Sequence, residues 1–116
     1  MLRDRVNRTK KDYTSNWIIK AKKIVLNHID TDQYAVFLFG SRAANLSYRS
    51  SDLDIGVLGK KPLDRKVINS IKQEVEDSEI PFSIDIIDFY EVDENFKKTA
   101  LQKIEIWNKP KSINLN

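Results

Sequence analysis

Two acidic side chains alternate with apolar ones at the start of an apolar segment, Asp52-Leu53-Asp54-Ile55. Side chains on a strand repeat every two residues, so a strand at this point turns Asp52 and Asp54 to the same face. Two neighbouring carboxylates repel each other and lose hydration when they are covered, which makes a purely structural role costly. A divalent cation removes that cost, and Mg²⁺ prefers a few carboxylates together with phosphate oxygens. The pair therefore indicates a metal site.

A second feature lies just before the acids, where an apolar run ends in Gly40-Ser41. Asp52 and Asp54 follow the serine by eleven and thirteen residues. A turn at this position supplies backbone N–H groups and a hydroxyl, both of which suit a phosphate. Together with the paired acids, the turn predicts a site for a metal ion and a nucleotide.

A third acid, Asp85, stands inside another apolar run between Ile84 and Ile86. Aspartate is disfavoured in strands and is seldom buried without a partner. If this strand neighbours the one that carries Asp52 and Asp54, three carboxylates converge, as a two-metal phosphoryl or nucleotidyl transfer site requires. Asp88 competes for the third position, but three residues farther along a regular strand it faces the opposite way. Asp85 is therefore the favoured third ligand.

The elements that must position these residues follow from the spacing of apolar side chains. Residues 104–107 fit either a helix or a short strand, and 41–46 fit a short helix. The order of elements predicts an α/β (α+β) domain with a small mixed sheet and helices packed on it. The other predicted elements are a helix from Thr14 or Ser15 to about 27–30, strands 34–39, 52–58 and 82–89, and a helix from Pro62 to about Asp77. A last helix, capped by Asp93, has Phe96, Ala100 and Leu101 on one apolar face.

Length and composition set limits on the function. The 116 residues suffice for one domain with a modest core, and the absence of cysteine excludes disulfides, a Cys-ligated zinc site and thiol catalysis. No apolar stretch approaches the length of a membrane span, and the first residues are charged where a signal peptide needs an apolar core. We therefore expect a cytoplasmic protein that does not enter a membrane.

The net charge of +3 comes from one end of the chain. Residues 1–13 hold five basic and two acidic side chains, and the remainder is balanced. This pattern predicts a flexible basic arm at 1–13, a folded domain at 14–107 and a polar, frayed tail at 108–116. A contact of the arm with a partner protein or a nucleic acid backbone is the alternative.

Three segments in combination carry a family resemblance: Gly40-Ser41-Arg42-Ala43, Ser51-Asp52-Leu53-Asp54-Ile55 and Ile84-Asp85-Ile86-Ile87-Asp88. Together they resemble the minimal nucleotidyltransferases (MNT) of the DNA polymerase β superfamily. The resemblance implies that superfamily's fold.

The resemblance also assigns roles to individual residues. It implies that Gly40 and Ser41 hold the nucleotide triphosphate and that Asp52 and Asp54 bind two Mg²⁺ ions. Asp85 becomes the third ligand, which binds the catalytic metal.

Many relatives have an arginine and a glycine soon after the turn, where Ala44 and Asn45 stand here. The contacts of that loop with nucleotide therefore stay open. Arg42 directly follows the turn and is taken as a phosphate contact, with a surface salt bridge as the alternative.

The resemblance finally implies a biological role. Small chains of this kind resemble the antitoxin of two-gene modules whose other member is an all-helical HEPN protein, an RNase-type toxin. The implied reaction is transfer of AMP from ATP to a tyrosine hydroxyl of the toxin, within a hetero-oligomer of the two proteins. Two alternatives stay open: an antitoxin that masks its partner by binding alone, and a nucleotidyltransferase acting on a small molecule or an RNA end. A nucleic acid partner is not expected.

Overall fold

The computed structural model of the chain describes residues 10–40 and 52–115, with side chains described for 16–40 and 53–115. Three helices and four strands occur within these ranges, which confirms the predicted α/β class. In chain order they are α1 (Lys10–His28), β1 (Ala35–Phe39), β2 (Asp52–Leu58), α2 (Arg65–Asp77), β3 (Ser83–Asp88), α3 (Glu94–Ala100) and β4 (Glu105–Asn108).

The four strands form one mixed sheet in the order β3-β2-β1-β4. β1 runs antiparallel to both of its neighbours, β2 and β4, whereas β2 and β3 run parallel. The parallel pair requires a crossover, and the connection from β2 to β3 contains α2. The sheet is therefore mixed, as predicted, and it places the two acid-bearing strands side by side.

One face of the sheet forms the larger part of the core under α1 and α2. Alternate residues of β2 point to it, and Leu53, Ile55 and Val57 are fully buried there. From the helices, Val25 and Ile71 pack onto the same cluster with no exposed surface. Because both helices cover this face, the positions that β1, β2 and β3 turn to it are occupied by aliphatic side chains, and β4 adds Trp107.

Among the described residues, α3 and the segment after β4 cover part of the other face. Phe37 of β1 packs edge-on against Phe89 at a centroid distance of 4.9 Å, and Phe39 packs against the same ring at 5.2 Å. Ile113 and Leu115 complete this second cluster. The covered part of the face therefore combines aromatic rings with aliphatic side chains, and the acids lie next to Phe39 at its border.

The structure differs from the sequence-based expectation at both ends of the domain. α1 begins at Lys10, earlier than the predicted cap at Thr14 or Ser15. The ambiguous segment 104–107 becomes β4, because β1 offers it an antiparallel edge. None of the described helices is long and apolar enough to cross a membrane.

The residues after β4 also differ from the expected frayed tail. Ile113 and Leu115 are buried in the second cluster. At the end of β4, the Asn108 side-chain amide donates to the carbonyl oxygens of Thr31 and Tyr34, each at 2.8 Å. These contacts hold the segment against the sheet.

Candidate active site

Asp54 and Asp85 are direct neighbours across the parallel strand pair. In the register of β2 with β3, the Cα atom of Asp54 lies opposite that of Asp85. Paired residues of adjacent strands turn their side chains to the same face, and adjacent strands are about 4.8 Å apart. On the other side, Asp54 lies opposite Phe39 of β1. One row across the sheet thus reads Phe39, Asp54, Asp85.

This row lies on the partly covered face and away from the aliphatic core. Asp54 is half-buried and Asp85 is exposed, whereas the intervening residues Leu53, Ile55 and Ile86 are buried on the opposite face. Two carboxylates at this spacing repel each other, and an exposed position keeps that repulsion small. Their oxygens are the type of ligand that Mg²⁺ prefers.

Gly40, directly after β1, comes close to the Asp54 carboxylate. Its φ of 82° lies in the left-handed region, which favours glycine. A Cβ at this position would collide with Oδ2 of Asp54 and lie 3.1 Å from its Cγ. A side chain at position 40 is therefore excluded both by the backbone and by the acid, which places the turn after β1 against the acid row.

For the remaining predicted site residues, the structure describes only the backbone of Asp52. The backbone of Asp52 begins β2 and pairs with Ser83 of β3, two residues before the pair of Asp54 with Asp85. The side chain of Asp52, and all of Ser41 and Arg42, lie outside the described parts of the chain, as does the predicted helix 41–46. Among the side chains that are described, no group of three histidine or acidic residues could hold a metal ion. Two of the three predicted acids are thus brought together by geometry.

Asp88, the competitor for the third position, has a different environment. Its Oδ2 accepts a hydrogen bond from the backbone N–H of Leu63 at 2.8 Å, and its Oδ1 accepts one from the N–H of Tyr90 at 3.0 Å. These bonds tie the end of β3 to the segment before α2. The carboxylate of Asp88 therefore holds two chain segments together, at the opposite end of β3 from Ser83.

Two aromatic residues beside the acids were not predicted from the sequence as part of a site. Phe39 is the β1 neighbour of Asp54, and its ring lies 6.2 Å from that of Phe96 on α3, nearly perpendicular. Phe96 is 43% exposed, although its helical spacing predicts a core position. The alternation along β1 places Phe39 on the acid-bearing face, but only the tertiary position of α3 brings Phe96 to it.

Comparison with known proteins identifies the family of this fold and site. The sequence profile of the family described as polymerase beta, nucleotidyltransferase, matches residues 18–112, which include all four of the described strands. The chain belongs to the polymerase β nucleotidyltransferase family. The match confirms the family that the Gly-Ser turn and the three acids of this nucleotidyltransferase suggest.

One protein of similar sequence is the probable protein adenylyltransferase MntA of Haemophilus influenzae. The chain described here and this relative are 30% identical over 76 residues, which make up 66% of the chain and 66% of the relative. The aligned part thus spans just under two thirds of the relative's length.

Two solved structures resemble the nucleotidyltransferase in fold. A chain in the crystal structure of a toxin–antitoxin with AMP-PNP has a TM-score of 0.63 at 22% identity, covering 84% of this chain and 74% of that one. A chain in the structure of a tri-AMPylated Shewanella oneidensis HEPN toxin in complex with an MNT antitoxin has a TM-score of 0.61 at 17% identity, covering 85% and 75%. At these identities the likeness concerns the fold.

Proposed function

We propose that this nucleotidyltransferase is a Mg²⁺-dependent protein adenylyltransferase that acts as an antitoxin by transferring AMP from ATP to its HEPN toxin partner. The observation that carries the proposal is the pairing of Asp54 with Asp85 on the partly covered face of the sheet, beside Gly40. The Haemophilus influenzae relative, a probable protein adenylyltransferase, supports the reaction type. The tri-AMPylated HEPN toxin found with an MNT antitoxin supports the kind of partner.

The described acids fit a magnesium site. Asp54 and Asp85 present oxygen ligands from adjacent strands, and Asp85 is exposed enough to leave room for water and phosphate oxygens. We assign Asp52, Asp54 and Asp85 to two Mg²⁺ ions. When bound, such ions lower the pKa of an attacking hydroxyl and neutralise the triphosphate.

The turn after β1 is assigned to the phosphates. Gly40 brings the backbone against Asp54, and Ser41 and Arg42 follow it directly. We propose that the Ser41 hydroxyl and backbone hold the triphosphate and that Arg42 pairs with a phosphate oxygen. This places the triphosphate on the β1 side of Asp54 and leaves the β3 side, with Asp85, for the acceptor.

The reaction is an in-line displacement at the α-phosphorus. The acceptor oxygen, which we take to be a tyrosine hydroxyl of the toxin, forms a bond to the α-phosphorus while the bond to pyrophosphate breaks. The hydroxyl proton passes to solvent water, pyrophosphate leaves, and AMP remains bonded to the toxin through the acceptor oxygen. Asp85 orients the acceptor hydroxyl. We place the reaction in the cytoplasm, where ATP and Mg²⁺ are both at hand.

The test is the intact mass of the partner toxin after incubation with this chain, ATP and Mg²⁺. We expect a gain of one AMP mass or a multiple of it, and no gain with the Asp52→Asn/Asp54→Asn variant. Asp32→Asn, which removes an exposed acid between α1 and β1, is the matched control and should retain transfer. Tight binding without a mass change would favour masking, and AMP transfer to RNA without the toxin would favour an RNA-end substrate.

A further inference from the structure

Four phenylalanine rings form a continuous cluster on the acid-bearing face. Phe37, Phe39 and Phe89 are buried, with at most 8% of their surface exposed, whereas Phe96 is 43% exposed. Its ring lies 6.2 Å from Phe39 and 5.7 Å from Phe89. Phe96 is therefore the outer ring of a supported aromatic cluster, and its remaining surface is open.

The position of this ring relates it to the nucleotide side of the site. Phe96 packs on Phe39, and Phe39 is the direct β1 neighbour of Asp54 and precedes Gly40. Asp85, assigned to the acceptor, lies on the other side of Asp54. The open aromatic surface is thus linked to Asp54 through the ring of Phe39, and Phe96 also packs on Phe89, which directly follows β3.

We propose that Phe96 is the surface on which the nucleobase of the bound nucleotide stacks. The inference rests on the function proposed above, because it requires a nucleotide whose α-phosphate lies at Asp54. The base is the flat group attached to that phosphate through the ribose, and a flat aromatic face is the partner it stacks on best. The buried rings behind Phe96 fix its orientation in advance, so that little side-chain entropy is lost on binding.

The chemistry of the surface determines its selectivity. A phenylalanine ring offers no hydrogen-bond donor or acceptor, and every base has a π-face. Stacking alone therefore tolerates different bases. We expect adenine and guanine nucleotides to bind with affinities within about fivefold of each other.

The experiment measures binding by calorimetry in the presence of Mg²⁺, with AMP-PNP, GMP-PNP and inorganic tripolyphosphate, which has no base. Phe96→Leu keeps apolar volume against Phe39 while removing the flat face, and Phe96→Trp restores a flat face. Ile106→Ala is the matched control, because Ile106 on β4 is 49% exposed. Circular dichroism at the binding temperature checks that each variant is folded.

We expect Phe96→Leu to weaken binding of both nucleotides about tenfold and to change tripolyphosphate binding by less than about twofold. Phe96→Trp and Ile106→Ala should bind all three ligands within about threefold of the native chain. An unchanged AMP-PNP affinity in Phe96→Leu overturns the inference, and a raised KM for the toxin in that variant assigns the ring to the acceptor instead. If the native chain binds neither AMP-PNP nor tripolyphosphate, the proposed function fails and the inference fails with it.

Discussion

Alternate residues of β2 lie in two different environments. Leu53, Ile55 and Val57 are fully buried beneath α1 and α2, whereas Asp54, between them in sequence, is half-buried on the opposite face beside Asp85. Burying one such aliphatic side chain is worth about 1.5–3 kcal/mol. Holding two carboxylates together contributes nothing comparable and costs repulsion. One strand therefore supplies stability on one face and chemistry on the other.

The separation of the two faces explains how the acid row is tolerated. A cluster of like charges destabilises a fold least where the cluster is exposed to solvent. The cost is also small where the surrounding elements are held in place by other contacts. Here the helix-covered core on the opposite face holds the strands that carry the acids. Substitutions on the two faces should accordingly affect different measurements.

The largest effect is expected from removing one acid of the row. Asp85→Asn should lower AMP transfer to the toxin at least about 100-fold, because a metal ligand and its charge are lost. Stability should change by less than about 0.5 kcal/mol, since Asp85 is exposed. Initial rates by mass spectrometry and urea unfolding measure the two quantities.

Asp88→Asn is the matched control for this change, with the opposite expectation. An amide keeps one acceptor oxygen, so one of the bonds to the N–H groups of Leu63 and Tyr90 is lost, and stability should fall by about 1–2 kcal/mol. Transfer should stay within about threefold. Loss of transfer in Asp88→Asn alone, with Asp85→Asn active, would make Asp88 the third ligand.

The second effect tests the helix-covered face. Ile55→Ala should lower the free energy of unfolding by about 2–5 kcal/mol, because it leaves a cavity between β2 and the helices. At a temperature where the variant stays folded, transfer per folded molecule should remain within about threefold. Asp54→Asn, its neighbour in sequence, should show the reverse, with a smaller loss of stability than Ile55→Ala and no transfer. If Ile55→Ala abolishes transfer in the folded state, the two faces are not independent.

The sequence predicted the residues of the row better than their arrangement. The period of two predicted that Asp52 and Asp54 share a face of β2 and that Asp85 and Asp88 face opposite ways on β3, because these patterns are local. Whether β2 and β3 are adjacent is a tertiary property that local patterns do not contain. The pairing of Asp54 with Asp85 is therefore seen only in the strand register of the structure. The fold class followed from the order of elements in the same local way.

Two other features could not be read from local patterns. Residues 104–107 have a spacing that fits a helix as well as a strand, and pairing with the edge of β1 makes Glu105–Asn108 a strand. Phe96 has the spacing of a core residue, yet α3 is short and leaves it 43% exposed next to Phe39. In both cases the deciding interaction joins residues far apart in the sequence.

The third effect concerns Gly40, where the backbone turn meets the acid row. Gly40→Ala should cost about 1–2 kcal/mol of stability, because an L residue is strained at a φ of 82°. It should also reduce transfer at least about tenfold, since the new Cβ displaces the Asp54 carboxylate. Gly59→Ala is the control, because its Cβ would meet the ring of Tyr34 instead and should lower stability with little effect on transfer. Equal transfer in the two variants would contradict the role given to the turn.

The smallest effect lies at Tyr34, which belongs to the helix-covered core. Its hydroxyl donates to the carbonyl oxygen of Pro62 at 3.0 Å, and burial, with the nearby carboxylates of Asp88, Asp30 and Asp64, raises its pKa above the usual 10.0. Tyr34→Phe should lower stability at pH 7 by about 1 kcal/mol.

The raised pKa of Tyr34 also predicts how the difference depends on pH. The folded state holds the phenolic proton more tightly than the unfolded state. The stabilisation that the protonated Tyr34 hydroxyl gives the folded state is therefore complete below pH 10 and is lost as the pH rises through the folded pKa. Native protein should therefore lose its advantage over Tyr34→Phe above pH 10, measured by urea unfolding at pH 7 and pH 10.5, whereas Tyr90→Phe at a half-exposed position should follow the native curve. An unchanged difference between native protein and Tyr34→Phe at the two pH values would mean that the hydroxyl ionises as readily in the folded chain as in the unfolded one. AMP transfer at pH 7 should be the same in all three proteins, because Tyr34 packs on the face of the sheet that carries no part of the acid row.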